Sequence, residues 1–223
     1  MWLQLQAGSG LIIAAFVGMH LLNTFLLALS FATYDRVQAM LRQVYQQPLF
    51  EVLLALAIVL HMACGVRGML VRRRERMSAR DGRAGGPARL PARLRSQRVA
   101  GWFLLAAIGG HVAATRGAAL WFDVAPGAEG LGFTMAFLPA YFYPYYFLLG
   151  LAGLYHGVLG IDAILARSRA RVRIGARLRP TVLVGAVALA AALLGAGGVL
   201  YETPDPYAND YAALVLRLVG GAQ

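Results

Sequence analysis

Five long apolar blocks constrain the fold of this chain more than any other sequence feature. A membrane-spanning helix needs about 20 mostly apolar residues, and each block reaches that length. The predicted spans cover residues 10–32, 49–71, 99–122, 133–164 and 180–201. Hydrophobic residues make up 59% of the chain and charged residues 14%, a balance unlike that of soluble domains. The sequence therefore predicts an all-α membrane protein, with five transmembrane helices bundled in a single domain over residues 1–223.

The linkers between the blocks differ in charge, and the difference predicts the orientation of the chain. Ten arginines lie in residues 72–98 and six in residues 166–179, whereas the other two linkers carry few. Short basic loops stay on the cytoplasmic side of a membrane. We therefore expect two Arg-rich cytoplasmic loops, an N-terminus inside and a C-terminus outside, in a bacterial inner membrane. The net charge of +11 then reflects membrane orientation, and no nucleic-acid partner is expected.

Two terminal segments have alternative interpretations. The first apolar block lacks a basic start and is too long for the apolar region of a signal peptide, so it is predicted to be a membrane span. The stretch from Tyr207 to Leu218 is predicted to form an amphipathic helix on the outer surface.

The four histidines are distributed one to a block across the first four predicted spans: His20, His61, His111 and His156. A polar side chain deep in hydrocarbon is costly and usually serves a function. The alternative is a structural histidine that bonds to a neighbouring helix. Two imidazoles from two helices can hold one b-type haem iron. Because the single cysteine excludes a CxxCH site for covalent haem, the sequence predicts two non-covalent haem b groups.

Depth in the membrane predicts how the histidines pair. His61 and His156 each lie eleven residues before an arginine that marks the inner edge, which is about 16 Å by helical rise. His111 lies about 20 Å from the same edge, and His20 is left as its partner. The predicted iron ligands are therefore His61 and His156 for a proximal haem, with His20 and His111 for a distal haem.

Arg67 and the glycines near the histidines are further candidates. Small residues let a flat macrocycle approach a helix, although glycine also serves ordinary helix packing in membranes. Arg67 follows His61 by six residues and lies too deep for a loop charge. Since guanidinium binds carboxylates in bidentate fashion, we predict that Arg67 binds a haem propionate or a quinone. The alternative is that Arg67 snorkels to the headgroups.

Two segments resemble a known family. Residues 9–16, with His20-Leu21 and Asn23, are similar to the first helix of the cytochrome b anchor of succinate dehydrogenase and fumarate reductase. Residues 61–67 resemble the second helix of the same anchors. Anchors made of one chain have five helices, an inside N-terminus and two haems ligated from helices one to four. The resemblance implies the same two histidine pairs that depth predicts.

The resemblance also implies a function in respiratory electron transport. The chain would dock a flavoprotein subunit and an iron-sulfur subunit on its cytoplasmic face. Electrons would pass between the succinate/fumarate couple of the tricarboxylic acid cycle and membrane quinone, either menaquinone or ubiquinone. This chain would be the membrane subunit of the enzyme and would hold no dicarboxylate site. Some family members carry a glutamate two residues before the fourth ligand, where this chain has Leu154, so coupling to the membrane potential stays open.

Other interpretations remain at this stage. Candidate quinone-site residues near the outer face are Glu51, Tyr45, Gln46 and Trp121. The chain could instead be the cytochrome b subunit of a nitrate reductase, formate dehydrogenase or hydrogenase, although those tend to place two histidines on one helix. A haem-free transporter with structural histidines is a third interpretation.

Overall fold

The computed structural model describes residues 1–82, 92–167 and 177–220. Within these residues the chain forms helices and no strand, as predicted. A 3₁₀ turn at Leu26–Ala28 follows α1, and a π turn at Ala113–Gly117 joins α4 to α5. Residues 83–91 and 168–176 of the predicted Arg-rich loops lie outside the described residues. The α-helices of the described part are α1 (Trp2–Phe25), α2 (Phe31–Tyr45), α3 (Pro48–Gly82), α4 (Ala92–Val112), α5 (Ala118–Phe122), α6 (Ala128–Phe137), α7 (Pro139–Arg167), α8 (Leu178–Ala196) and α9 (Asp210–Gly220).

Five helical segments are long and apolar enough to cross a membrane, and they confirm the predicted five-span fold. Between 6% and 28% of the most apolar window of each segment is buried inside the protein, and large apolar side chains such as Leu56, Val59 and Val184 stay exposed. Apolar side chains facing outward along helices of this length are the surface that lipid requires. The chain is therefore a multi-pass membrane protein in contact with the bilayer. The segments are Trp2–Ala28, Pro48–Glu75, Ala92–Phe122, Pro139–Arg167 and Leu178–Ala196.

The fourth predicted block, residues 133–164, exceeds one crossing because it contains parts of two helices. Helix α6 ends at Phe137, and Leu138 leaves the helical conformation. Helix α7 then begins at Pro139. Proline suits a first helical turn, where its missing N–H would have no partner in any case. Only α7 crosses the membrane.

Helix α4 begins at Ala92, seven residues earlier than the predicted third span. Its first turns carry polar side chains that find partners on α7. Arg93 forms an ion pair with Asp162 at 2.9 Å. The hydroxyls of Ser96 and Tyr155 share a hydrogen bond of 2.6 Å. Because α7 satisfies these groups, the helix continues through a stretch that sequence composition alone assigns to the loop.

Helices α1 and α7 each pack against several other helices of the bundle. Helix α1 packs against α3 and α7, and α7 packs in addition against α4 and α8. Helices α1 and α4 therefore occupy opposite corners of a four-helix arrangement, and α3 and α7 occupy the other two. Helix α8 packs outside this arrangement, against α7 and the 3₁₀ turn that follows α1.

One end of the bundle is covered by α2, α6 and α9, and we call it the capped end. Asp35 on α2 accepts a hydrogen bond of 3.0 Å from the N–H of Ala128, the first residue of α6. Arg42 donates to the carbonyl of Pro126 at 2.8 Å. These two contacts hold α6 against α2. We call the opposite end, where α3 and α7 finish and α4 and α8 begin, the arginine end.

Helix α9 realises the predicted amphipathic C-terminal helix, two to three residues displaced along the chain. It spans Asp210–Gly220 and buries Ala212 and Leu214, and it packs against α6. The side chain of Asn209 accepts a hydrogen bond of 2.9 Å from the N–H of Ala212. Asparagine at this position satisfies an N–H that has no partner within the helix.

Candidate functional site

The four histidines lie on four different membrane helices and meet in two pairs. His20 on α1 faces His111 on α4, with ring centres 6.2 Å apart and planes at 69°. His61 on α3 faces His156 on α7, with ring centres 6.1 Å apart and planes at 85°. These are the pairs that depth and the family resemblance both predict. Each pair spans a diagonal of the four-helix arrangement, so both pairs lie within the bundle.

The spacing within each pair suits one metal ion between two imidazoles. A bond from a histidine nitrogen to a metal is about 2 Å long, and the nitrogen lies about 1.2 Å from the ring centre. Two rings that share one metal through facing nitrogens therefore have centres about 6 Å apart. The geometry thus fits six-coordinate iron with two axial histidines.

Backbone carbonyls orient the pair nearer the arginine end, His61 and His156. The Nδ1 atom of His61 lies 3.1 Å from the carbonyl oxygen of Gln6. The Nδ1 atom of His156 lies 3.1 Å from the carbonyl oxygen of Gln97. A carbonyl oxygen only accepts hydrogen bonds, so each Nδ1 carries the proton and donates it. Each Nε2 then keeps its lone pair, as a metal ligand requires.

Gly10 and Gly101 lie one turn after these carbonyls, next to the imidazole rings of His61 and His156. A Cβ atom at Gly10 would lie 3.0 Å from Cε1 and 3.2 Å from Nδ1 of His61. A Cβ atom at Gly101 would lie 3.0 Å from Cε1 and 3.3 Å from Nδ1 of His156. These distances are shorter than ordinary van der Waals contact. The bare backbone of α1 and of α4 therefore makes room for the imidazole of a neighbouring helix.

The pair nearer the capped end, His20 and His111, sits among aromatic rings. Phe16 stacks on His20 with ring centres 5.9 Å apart and planes at 9°. Tyr146 approaches His111 edge-on, with ring centres 6.3 Å apart. Tyr45 in turn meets Phe16 edge-on at 5.3 Å. Apolar ring faces on this pair favour a flat apolar ligand over a hydrated ion.

Both of these histidines lie within two turns of an irregularity that follows them in the chain, six residues before the 3₁₀ turn for His20 and two before the π turn for His111. The hydroxyl of Thr24 donates to the carbonyl of His20 at 2.8 Å, just before α1 tightens into the 3₁₀ turn. The hydroxyl of Thr115 donates to the carbonyl of His111 at 2.8 Å, within the π turn. Such turns disturb the regular backbone hydrogen bonds, and threonine hydroxyls satisfy the carbonyls that result. Short π turns are frequent at functional sites.

A buried polar network runs from α1 to α2 close to this pair. Asn23 is 2% exposed, and its Nδ2 donates to Oε1 of Gln38 at 2.6 Å. Gln38 Nε2 then donates to the hydroxyl of Tyr45 at 2.7 Å. This network ties the first helix to the helix that covers the capped end. Tyr45, a candidate quinone-site residue, is therefore held by Gln38 and packed on Phe16.

Arg116 links two of the candidate quinone-site residues. Glu51, in the first turn of α3, forms a bidentate ion pair with Arg116 in the π turn, with contacts of 2.5 Å and 2.8 Å. Arg116 also lies close enough to Tyr45 for an electrostatic interaction. Gln46 caps the C-terminus of α2 and is half-buried, whereas Trp121 is 70% exposed.

Arg67 lies toward the arginine end of α3, and its guanidinium sits over the ring of Trp2 at 4.5 Å. Cation–π contact of this kind holds an arginine side chain along the helix surface. Cys64, one turn after His61, is buried at 4% exposure and packs as a small residue. The propionate or quinone role of Arg67 stays a prediction.

Sequence reasoning missed the residues that orient the histidines. Gln6, Gln97 and Gly101 carried no signal for it, and Gly10 entered only through the family resemblance. Gln6 and Gln97 act through their backbone carbonyls, which no side-chain motif reveals. Glutamine precedes glycine by four residues at both places, but Gln4 and Gly8 share this spacing, so it does not single the two places out.

The two histidine pairs are stacked along the bundle axis. Gly10, beside His61, precedes His20 on α1 by ten residues, or about 15 Å of helical rise. This is about half the thickness of the hydrocarbon core.

Comparison with protein-family models, with curated proteins and with solved structures found no significant match. Chemically, the arrangement can hold two metal centres in series across a membrane.

Proposed function

We propose that this chain is a dihaem cytochrome b, the membrane anchor of a succinate:quinone oxidoreductase. The observation that carries the haem assignment is the geometry of the histidine pairs, with ring centres 6.1 Å and 6.2 Å apart on opposing helices. Bound haem supplies one-electron oxidation and reduction at iron. Two such groups in series would supply a route for electrons across the membrane interior.

The residues of this chain bind and orient. His61 and His156 would hold one iron, and the carbonyls of Gln6 and Gln97 accept their Nδ1 protons. His20 and His111 would hold the other iron, next to the rings of Phe16 and Tyr146. Exclusion of water and fixed axial ligands are the means by which a protein sets the potential of a haem.

Charge supports the direction of docking. Arginines concentrate at the arginine end, which by the positive-inside rule faces the cytoplasm. The flavoprotein and iron-sulfur partners dock there, next to the His61–His156 pair. Quinone reacts toward the capped end, next to the His20–His111 pair. The arginines also complement the propionates of the nearer haem, Arg67 among them.

The succinate assignment rests on the resemblance of residues 9–23 and 61–67 to the cytochrome b anchors. One histidine on each of four helices agrees with that family, whereas several other respiratory cytochromes b place two on one helix. In this assignment the chain belongs in a bacterial inner membrane and acts on menaquinone or ubiquinone.

Haem content tests the first part of the proposal. The protein purified from haem-replete cells should show Soret absorbance and two haems per chain. His61→Ala should leave one haem, and so should His20→Ala, because each variant removes one axial ligand of one pair. Cys64→Ala, a buried change one turn from His61, is the matched control and should keep both haems. A colourless protein, or ligand variants that retain both haems with unchanged spectra, would show that the histidines are structural.

Partners test the second part. Gentle solubilisation should recover the chain with a flavin-containing subunit and an iron-sulfur subunit, and succinate should reduce the haems. Haem that is reduced by formate or hydrogen and not by succinate would assign the chain to another respiratory enzyme.

A further inference from the structure

Helices α1 and α4 carry the same residues at the same spacing, although α1 begins the chain and α4 lies near its middle. Seven identities recur at positions that are each 91 residues apart, and five of them are polar residues or glycines. These five are Gln6 and Gln97, Gly10 and Gly101, Gly18 and Gly109, His20 and His111, and Thr24 and Thr115. Four of these five matched pairs also make the same contacts. The same pattern of residues and contacts therefore occurs twice in the chain, once from α1 and once from α4.

Each of the two helices serves both histidine pairs. Near the arginine end, α1 receives His61 at the carbonyl of Gln6 and over Gly10. Ten residues farther along, α1 contributes His20 to the other pair. Helix α4 does the same, receiving His156 and contributing His111. The spacing within one helix therefore sets the separation between the two sites.

We infer that Gly10 and Gly101 are matched positioning residues for the haem held by His61 and His156, an inference that rests on the proposed function. In a helix, the carbonyl four residues before a glycine is shielded by any side chain at the glycine position. With glycine there, the imidazole reaches that carbonyl and donates its Nδ1 proton. This bond fixes the tautomer, directs Nε2 toward iron and makes the imidazole a stronger ligand.

The other glycines of the same helices show that this contact is specific. A Cβ atom at Gly8 or Gly18 of α1 would meet nothing within 4 Å. The same holds for Gly109 and Gly110 of α4. Helix packing would tolerate alanine at these positions. Among the glycines of α1 and α4, a side chain would meet a histidine only at Gly10 and Gly101.

Alanine substitution tests the inference on the haem-loaded full-length protein. In Gly10→Ala and in Gly101→Ala, the added carbon pushes the ring away from the carbonyl and weakens the Nδ1 hydrogen bond. A weaker imidazole donor favours the reduced iron, so the reduction equilibrium of this haem should shift toward the reduced form. We expect a shift of about tenfold, which corresponds to about 59 mV for one electron. The ferric low-spin EPR signal of the same haem should change as well.

Controls and the second haem separate positioning from misfolding. Gly8→Ala makes the same chemical change on the same helix as Gly10→Ala and should leave the potential of the His61–His156 haem unaltered. The haem at His20 and His111 should keep its spectrum in Gly10→Ala and Gly101→Ala, which reports an intact fold. Gly10→Val and Gly101→Val should lower the content from two haems to one.

Two results would overturn the inference while leaving the proposed function in place. One is two haems per chain with an unchanged potential and EPR signal in both alanine variants and both valine variants. The other is an equal effect of Gly8→Ala and Gly10→Ala, which would assign the change to helix propensity. Absence of haem from the unmodified protein would instead reject the proposed function, and this inference with it.

Discussion

Gly195→Ala probes a close approach between two membrane-spanning segments of this protein. A Cβ atom at Gly195 on α8 would overlap the carbonyl oxygen of Leu27, in the 3₁₀ turn that follows α1. It would also lie 2.9 Å from the carbonyl carbon of Leu27. To restore an ordinary contact of 3.4 Å with this atom, the two backbones must separate by about 0.5 Å. The obstacle is backbone and not a flexible side chain. Helix α8 must therefore move away from α1.

The expected loss combines three contributions. Overpacking against a rigid neighbour costs about 1–3 kcal/mol. The hydroxyl of Tyr201 donates to the same carbonyl of Leu27 at 2.6 Å, and stretching this bond costs about 1 kcal/mol more. Alanine returns up to about 1 kcal/mol through its higher helix propensity. The net change in the free energy of unfolding is a loss of about 2 kcal/mol, measurable by thermal or denaturant unfolding in detergent.

A series of glycines provides the comparison. Gly8→Ala meets nothing within 4 Å and should be neutral or stabilising by up to about 1 kcal/mol. Gly185→Ala meets the end of the flexible Leu154 side chain, which can rotate, so its loss should fall between the other two. If Gly195→Ala unfolds like Gly8→Ala, the close approach of α8 to α1 is absent in the protein.

Two further predictions concern charge at the capped end. Glu51→Gln, Arg116→Gln and the double variant form a thermodynamic cycle for the bidentate pair. Because the pair is about one-third exposed, we expect a coupling of about 1 kcal/mol in the free energy of unfolding. Additive losses in the two single variants would contradict the pair. Burial raises the pKa of Tyr34 from 10.0 to about 12, so ionisation favours the unfolded chain, and stability should fall on the order of 2–3 kcal/mol as the pH rises from 10 to 12. Tyr34→Phe should flatten this alkaline loss in unfolding measured at several pH values, and an unchanged slope would refute the assignment.

The number and type of the membrane helices could be predicted because hydropathy acts on each block independently of the others. The errors fall where tertiary contacts decide. Helix α4 starts at Ala92 because Asp162 and Tyr155 on α7 satisfy its polar first turns. The predicted fourth block contains the break at Leu138, where covering helix α6 meets spanning helix α7. Apolar composition is the same on both sides of that break, so hydropathy does not reveal it.

The histidine pairs could be anticipated from depth, since one helical rise applies to every span. Arg98 was expected to mark the inner edge of the membrane, yet the adjacent carbonyl of Gln97 accepts from His156. The pairing survives because it depends on relative depth and not on the edge. Depth carries no information on the rotation of a helix about its axis. This rotation decides whether Gly10 or Gly8 faces His61. One inserted residue between Gly10 and His20 would turn the helix by about 100° and advance it by about 1.5 Å. It would thus break one of the two histidine pairs while leaving every hydrophobic block intact, so the ten-residue spacing in α1 and α4 is set by the geometry of the histidine pairs and not by hydropathy.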